Sequence, residues 1–176
     1  ASAADPVYTL DTDPIRLGGK AFERGALDEA RARYTQAVNA GYKLAEAHEG
    51  LARVAERAGQ FAEAERQYRQ ALAAAGNDAA AHAGLGVLLL RLGRAGEAAP
   101  EISAALQADD DLWLAHYGQA LLDLDRHDLD AARAHLDRGK RARGVAAGED
   151  LYHGGRARLL LATGDLAAPA ADAHPA

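Results

Sequence analysis

Residues 51–72 read LARVAERAGQFAEAERQYRQAL, and this stretch decides the fold. Apolar residues recur with helical spacing on both sides of Gly59-Gln60. This spacing predicts one helix over 45–58 and a second over 61–74, joined by a short turn. Gly59 supplies the left-handed backbone conformation that ends a helix at little cost. The local pattern is therefore that of a helical hairpin.

Residues of the same type recur every 34 positions along the chain. In the quoted stretch, Ala64 and Ala71 form one small face of the second helix, which allows the paired helix to approach closely. Tyr68 lies between them and fills the space beyond. The columns that share this period are His48, His82 and His116; Gly25, Gly59 and Gly93; Leu17, Leu51 and Leu85; Ala30, Ala64, Ala98 and Ala132; Ala37, Ala71 and Ala105; and the large residues Tyr34, Tyr68, Ile102 and Leu136.

This pattern resembles the tetratricopeptide repeat, a helix-turn-helix unit of about 34 residues. The resemblance is closest in Gly59-Gln60-Phe61-Ala62-Glu63-Ala64, followed by Tyr68 and Ala71-Leu72. It implies an all-α fold, a right-handed α-solenoid of antiparallel helix pairs. The implied repeats cover 11–44, 45–78, 79–112 and 113–146, with a capping helix at about 150–163, which completes a domain over 11–166, and with extended tails over 1–10 and 167–176.

The fourth repeat departs from the pattern at several positions. Gln119 replaces the leucine, His127 replaces the turn glycine, and Gly139 replaces the last alanine. Because histidine tolerates left-handed backbone better than most residues, we expect the turn to survive. Further on, Gly164-Asp165-Leu166 resembles another turn, but it stands three residues later than the period requires. This offset predicts an insertion of that length within Gly139–Glu149.

Composition and charge exclude several classes of protein. The chain has 176 residues, with 46 alanines and 24 leucines but few aromatic residues, a balance that favours helix. It has no cysteine, which excludes disulfide scaffolds and thiolate metal sites. A net charge of -6 argues against nucleic acid as the main partner. The longest apolar runs have about five residues, too few to span a bilayer.

The sequence offers no motif for catalysis or for cofactor binding. Ser2 and Ser103 are its serines, and neither stands in a Gly-x-Ser-x-Gly turn. His48, His82 and His116 could form a metal or proton-relay site, or they could occupy half-buried packing positions. Equivalent residues of successive repeats lie at least about 8 Å apart, whereas two ligands of one zinc ion lie within about 4 Å. We therefore favour packing and expect no metal, no cofactor and no catalytic residue, with a histidine-dependent metal enzyme as the remote alternative.

The family resemblance also implies where a partner binds. In this family the first helix of each pair lines a concave face, and its exposed residues bind peptides. Four of the aliphatic residues at these positions could instead pack against neighbouring helices, and both interpretations stay open. Carried over to this sequence, the groove comprises Glu49, Arg53, Arg57, Val87, Leu90, Arg91, Tyr117, Leu121 and Leu124, of which Val87, Leu90, Leu121 and Leu124 are the aliphatic ones.

One subgroup of the family binds the C-terminal carboxylate of heat-shock chaperones through lysine and asparagine in the groove. We expect no such binding here, because those side chains are missing from the corresponding positions. An apolar groove end near Arg53 and Arg91 instead suits an amphipathic helix or an extended segment with some acidic residues. The corresponding positions hold Ile15, Gly19, Gly50, Ala80 and Gly84.

Two functional hypotheses follow. The first is a non-catalytic interaction scaffold that binds a peptide or helix of a protein partner in its groove, within a bacterial envelope assembly. The alternative is a structural accessory subunit, held permanently in a larger complex by its tails and outer surface. Small residues in Ala1-Ser2-Ala3 fit signal-peptide cleavage and favour a periplasmic or otherwise exported protein, with a cytoplasmic protein as the alternative. Neither hypothesis involves nucleic acid or insertion into a membrane.

Overall fold

A computed structural model describes residues 6–142 and 149–164. The described residues form nine helices joined by short connections, and none of these helices is long and apolar enough to cross a membrane. They are α1 (Pro14–Glu23), α2 (Leu27–Asn39), α3 (Leu44–Arg57), α4 (Phe61–Ala74), α5 (Ala79–Arg91), α6 (Ala95–Ala108), α7 (Trp113–Asp125), α8 (Leu129–Arg141) and α9 (Glu149–Thr163).

The helices pack as consecutive pairs, which confirms the all-α solenoid. The pairs are α1 with α2, α3 with α4, α5 with α6, and α7 with α8, and each pair stacks on the next. Three-residue connections within a pair, such as 58–60, force the chain to reverse direction, so the two helices run antiparallel. Helix α9 follows the last pair and packs on both α7 and α8.

The turn within each pair has the geometry that the sequence predicts. Gly59 has a φ of 73°, and the N–H of Gln60 donates to the Ala55 carbonyl at 2.8 Å, as in a Schellman helix end. His127 adopts a φ of 59° at the equivalent position of the fourth repeat. The N–H of Asp128 then reaches the Asp123 carbonyl at 2.9 Å. The prediction that a histidine preserves this turn is therefore confirmed.

The alanine columns lie where the paired helices touch. Ala64 and Ala71 are both 0% exposed, so no larger side chain fits between α3 and α4 without moving a helix. The same complete burial is found for their equivalents in the other repeats. These are Ala30, Ala37, Ala98, Ala105 and Ala132.

The column of large residues packs onto glycines of first helices. A Cβ atom built on Gly84 would lie 2.5 Å from the ring of Tyr68, closer than any real contact of this kind. A Cβ on Gly118 would lie 2.3 Å from the Cδ1 of Ile102. Each large side chain therefore occupies space that a glycine leaves empty on a neighbouring helix. The other contacts of this kind are Tyr34 with Gly18 and Gly50, Ile102 with Gly86, and Leu136 with Gly155.

The two ends of the chain are described in part. The predicted tails fall partly outside the described residues, at 1–5 and 167–176. Within the described part, the Tyr8 ring packs edge-on to Tyr42 with the ring centroids 4.7 Å apart, so this segment contacts the first repeat. Most of the predicted insertion, residues 143–148, also lies outside the described part of the chain. Gly164 has a φ of 69°, as a turn glycine requires.

Candidate functional site

The first helices of the repeats form one layer, in which α3 and α5 approach each other less closely than the other neighbours do and are joined by the Glu56–Arg91 ion pair. Helix α1 contacts α3, α5 contacts α7, and α7 contacts α9. Among the described residues, the second helices make no comparable contacts with one another. The family resemblance predicts that the side formed by the first helices is the concave one. We call the nine residues predicted there, from Glu49 to Leu124, the groove surface.

At the charged end of the groove surface, two arginines stack on one phenylalanine. The guanidinium carbons of Arg53 and Arg57 lie 4.6 and 4.8 Å from the centroid of the Phe22 ring. Arg57 also donates a hydrogen bond from Nη1 to the Phe22 carbonyl oxygen at 3.1 Å. Both arginines are nevertheless exposed. They link the first repeat to the second and keep a positive surface available to solvent.

A buried tyrosine and an exposed arginine meet on one carboxylate in the same region. The Tyr68 hydroxyl donates to Oε1 of Glu56 at 2.7 Å, and Arg91 donates from Nη1 to Oε2 at 2.9 Å. Burial raises the pKa of Glu56, and the bonds from Tyr68 and Arg91 oppose this shift. Sequence reasoning missed the polar role of Tyr68, because its repeat position indicated packing alone. Arg91 also lies 4.9 Å from the Phe61 ring centroid.

Glu49 is a half-buried carboxylate that accepts no hydrogen bond from the described residues. Burial raises its pKa to about 6, while the positive charge of Arg53 opposes this shift. The negative charges of Asp78 and Glu46 add to the rise. The negative charge of Glu49 is therefore only weakly stabilised by its surroundings, in contrast to that of Glu56, which accepts two hydrogen bonds.

Glu49→Gln should stabilise the protein above about pH 6, by at most about 2 kcal/mol. The folded-state pKa lies above the value of about 4.5 expected for the unfolded chain, so ionisation at higher pH penalises the folded state alone. The advantage of the variant should shrink as the pH falls through about 6 and vanish below about 4.5. Urea unfolding at several pH values measures it. The control is Glu23→Gln, which removes the same charge from an exposed position on α1 that is not among the charges shifting the pKa of Glu49. An equal effect of both variants would contradict this expectation.

At the apolar end, three of the predicted groove residues belong to the core. Val87, Leu121 and Leu124 are 6%, 6% and 9% exposed, respectively. Leu121 and Leu124 pack with Leu159 of α9, and Val87 packs with residues of α6 and α7. The packing interpretation therefore replaces the groove interpretation for these three side chains, because the next first helix covers them.

Leu90 and Tyr117 are the two apolar groove residues that stay half-exposed. The Tyr117 ring lies 5.9 Å from the Trp113 ring, measured between centroids, and a Cβ on Gly155 would approach it to 2.9 Å. Burial raises the pKa of Tyr117, and the positive charges of Arg158 and Arg91 oppose this shift. Tyr117 therefore lies within electrostatic reach of two exposed arginines. Tyr117 and these arginines connect the apolar end of the groove surface to its positively charged residues.

The histidine column links the two helices of the second, third and fourth repeats. His48 Nδ1 lies 2.7 Å from Gln67 Oε1, and His82 Nδ1 lies 2.6 Å from Glu101 Oε2. His116 Nδ1 lies 3.1 Å from Nδ1 of His135 in the same way. Within 6–142 and 149–164, no group of three or more histidine, aspartate or glutamate side chains is arranged to hold a metal ion.

The family follows from a comparison of sequences. The profile of the tetratricopeptide repeat family matches residues 16–65 and 50–112, which together span more than half of the chain. This protein belongs to the tetratricopeptide repeat family. The resemblance inferred from the 34-residue period is thus confirmed, and with it the general role of the fold as a scaffold for binding other proteins. A search of curated proteins found no match.

Solved structures of other tetratricopeptide repeat proteins share the fold. One from Parabacteroides merdae superposes with a TM-score of 0.64 at 22% identity, covering 86% of this chain and 58% of that one. YrrB, described as having an unusual peptide-binding site, superposes with a TM-score of 0.60 at 18% identity, covering 87% and 86%. TTC0263 from Thermus thermophilus gives 0.59 at 24% identity, covering 84% and 80%. This tetratricopeptide repeat chain thus spans 58% of the length of the Parabacteroides protein.

Proposed function

We propose that this protein is a non-catalytic scaffold whose groove surface binds an acidic peptide or helical segment of a protein partner. The observation that carries the proposal is the exposure of Arg53, Arg57 and Arg91 on the same layer as the half-exposed Leu90 and Tyr117. Arginine and tyrosine, together with tryptophan, are enriched among the residues that dominate binding energy at protein interfaces.

The chemistry of the partner follows from the charges on this surface. Arg91 already pairs with Glu56, but 49% of its side-chain surface is still exposed. Its guanidinium can therefore bind a second carboxylate. Arg53 and Arg57 hold their guanidinium groups over Phe22, and a stacked guanidinium still offers its N–H donors to a carboxylate. An apolar side chain of the same partner would contact Leu90 and Tyr117. The peptide-binding site described for YrrB, a protein of similar fold, supports a peptide as the ligand.

The double variant Tyr117→Ala with Arg91→Glu should weaken partner binding by at least about tenfold. It removes the exposed aromatic ring and reverses the nearby charge. The measurement is affinity capture from the source organism, identification of the partner, and titration of the purified pair. Because Arg91 also bonds to Glu56, the helicity and unfolding midpoint of the variant are measured beside its affinity.

The matched control is Arg133→Glu, which reverses an exposed charge on the second helix of the fourth repeat. We expect this control to bind the partner as the unmodified protein does. Unchanged binding by the folded groove variant would exclude the groove surface. Loss of binding in the control alone would place the site on the second helices.

A further inference from the structure

A chain of polar groups crosses the fourth repeat from the loop before α7 to the end of that helix. His116 Nε2 lies 2.8 Å from the carbonyl oxygen of Asp110, and its Nδ1 lies 3.1 Å from Nδ1 of His135 on α8. The other nitrogen of His135, Nε2, lies 4.0 Å from Oδ2 of Asp123. Three titratable side chains of two packed helices therefore follow one another in a single line.

The positions of the protons follow from the acceptors along this line. A carbonyl oxygen only accepts, so His116 carries its proton on Nε2 and presents a lone pair at Nδ1 when the ring is neutral. His135 then donates from Nδ1 to His116. A neutral His135 consequently points the lone pair of Nε2 toward Asp123, where a carboxylate oxygen also accepts. Two acceptors face each other with no proton between them.

This arrangement leaves one carboxylate oxygen of Asp123 without a hydrogen bond among the described residues. Its side chain lies in the core at 6% exposure, and Gln119 donates to Oδ1 at 2.9 Å. Oδ2 is fully buried and has no hydrogen-bond partner among the described residues. The 34-residue period places Leu89 and Ala55 at the equivalent positions, both buried, so the other repeats use apolar residues here. The core explains a leucine or an alanine at this position but not a carboxylate.

We propose that Asp123 and His135 together bind one proton, and that its uptake at acidic pH joins α7 to α8 by a hydrogen bond. Uptake of the proton draws Nε2 of His135 and Oδ2 of Asp123, which lie 4.0 Å apart, to hydrogen-bond distance, where the proton between them satisfies both atoms. Below the pH of uptake the fourth repeat is held by one polar line from Asp110 to Asp123. Above it, the line ends at two opposed acceptors, and the α7–α8 contact loses this bond.

Other charges near the pair set the pH of uptake. Burial lowers the pKa of His135, the negative charge of Asp123 opposes this shift, and His116 and Arg138 add to it. Uptake therefore falls on the acidic side of the ordinary histidine range. Arg138 itself bonds to the Asp110 carboxylate at 3.0 Å, which offsets part of its charge.

Helix α9 also packs on α8 and carries charged groups at this end of the protein. The titratable side chains described on its first half are His153, which is exposed, and Arg156, which is half-buried. The charge of Asp123 is thus the one among those acting on His135 that favours its protonation. Removing that charge is the direct test of the pair.

The experiment compares the full chain with its Asp123→Asn variant in urea unfolding from about pH 8 to about pH 5. The asparagine amide can donate to Nε2 of neutral His135 while its oxygen still accepts from Gln119. At the higher pH the variant should unfold with an equilibrium constant about tenfold smaller than that of the unmodified chain. Toward the lower pH this advantage should vanish, because the unmodified pair then gains its proton. In parallel, NMR titration should give a lower pKa for His135 in the variant.

The control is Asp125→Asn, which removes the same charge from an exposed position two residues away. It should leave the unfolding constant and the pKa of His135 nearly unchanged. A variant advantage that is the same at every pH would overturn the proposal, as would an unaltered pKa of His135 in Asp123→Asn. Stoichiometric zinc binding that Asp123→Asn abolishes would overturn it in favour of a metal site. If Asp123→Asn does not fold, His135→Gln tests the same pair, since it should remove the part of the pH dependence that this pair contributes while leaving the part that comes from Glu49.

Discussion

Gly84→Val should destabilise the protein by about 3 kcal/mol or more, one of the two largest effects that we expect from a single substitution. A Cβ at this position would lie 2.5 Å from Cε1 and Cζ of Tyr68. The ring cannot easily move away, because the Tyr68 side chain is 3% exposed and its hydroxyl bonds to Glu56. Relief of the clash therefore requires α5 to move away from α4. Urea unfolding followed by circular dichroism measures the loss.

Two further variants separate a clash at Gly84 from a general effect of valine in a helix. Gly96→Val introduces the same side chain into α6 at a site where no atom lies within 4 Å of the new Cβ, so it should change the stability little. Combining Gly84→Val with Tyr68→Leu should restore part of the loss, because the shorter side chain frees the space. A double variant whose losses simply add would contradict direct contact as the cause.

Ile102→Ala should cost about 2–5 kcal/mol, the second of the large effects. The Ile102 side chain is 0% exposed, and its Cδ1 fills the space above Gly86 and Gly118. Truncation leaves a cavity that neither glycine can fill, so the loss should fall near the upper end of this range. The comparison variant is Ile15→Ala on α1, where the side chain is half-buried and a smaller loss is expected.

The same site allows a reciprocal test of the cavity. Gly118→Ala alone should destabilise the protein, because its Cβ would lie 2.3 Å from Cδ1 of Ile102. Added to Ile102→Ala, the new methyl group would occupy part of the emptied space and recover some stability. If Gly118→Ala deepened the loss in the Ile102→Ala background, the two side chains would not share one space.

The sequence predicted the fold well, because the fold depends on features that are local and repeated. Gly59 and its equivalents end helices, and Ala64 and Ala71 mark the contact between paired helices. Both signals are read within one repeat. The contact of Tyr68 with Gly84 joins different repeats and depends on how one pair stacks on the next. The period located the column that contains Tyr68, but it did not identify Gly84 as the place where this side chain packs.

The groove surface was predicted less completely, because it too depends on contacts between different repeats. Exposure at Leu121 and Leu124 depends on how far α9 covers α7, and the sequence around Gly139–Glu149 breaks the period just before α9. The pairing of Arg91 with Glu56 likewise spans two repeats. The burial of Asp123 was harder still to predict. A charged residue at one position of a repeat suggests an exposed site, and only the stacking of the helices shows that Asp123 lies in the core.

In the proposed groove, the column of large side chains would also determine where a partner places its own contacts. Two of these side chains are tyrosines, Tyr34 and Tyr68, whereas Ile102 and Leu136 are shorter, so the side chains that fill the joints between neighbouring repeats differ in size along the chain. The distance along the groove from Arg53 on α3 to Tyr117 on α7 spans two of these joints, those filled by Tyr68 and Ile102. A ligand whose carboxylates and apolar side chains are spaced for this distance would fit without distortion. Under the proposed function, residues that never touch the ligand would thus help to determine which ligand binds.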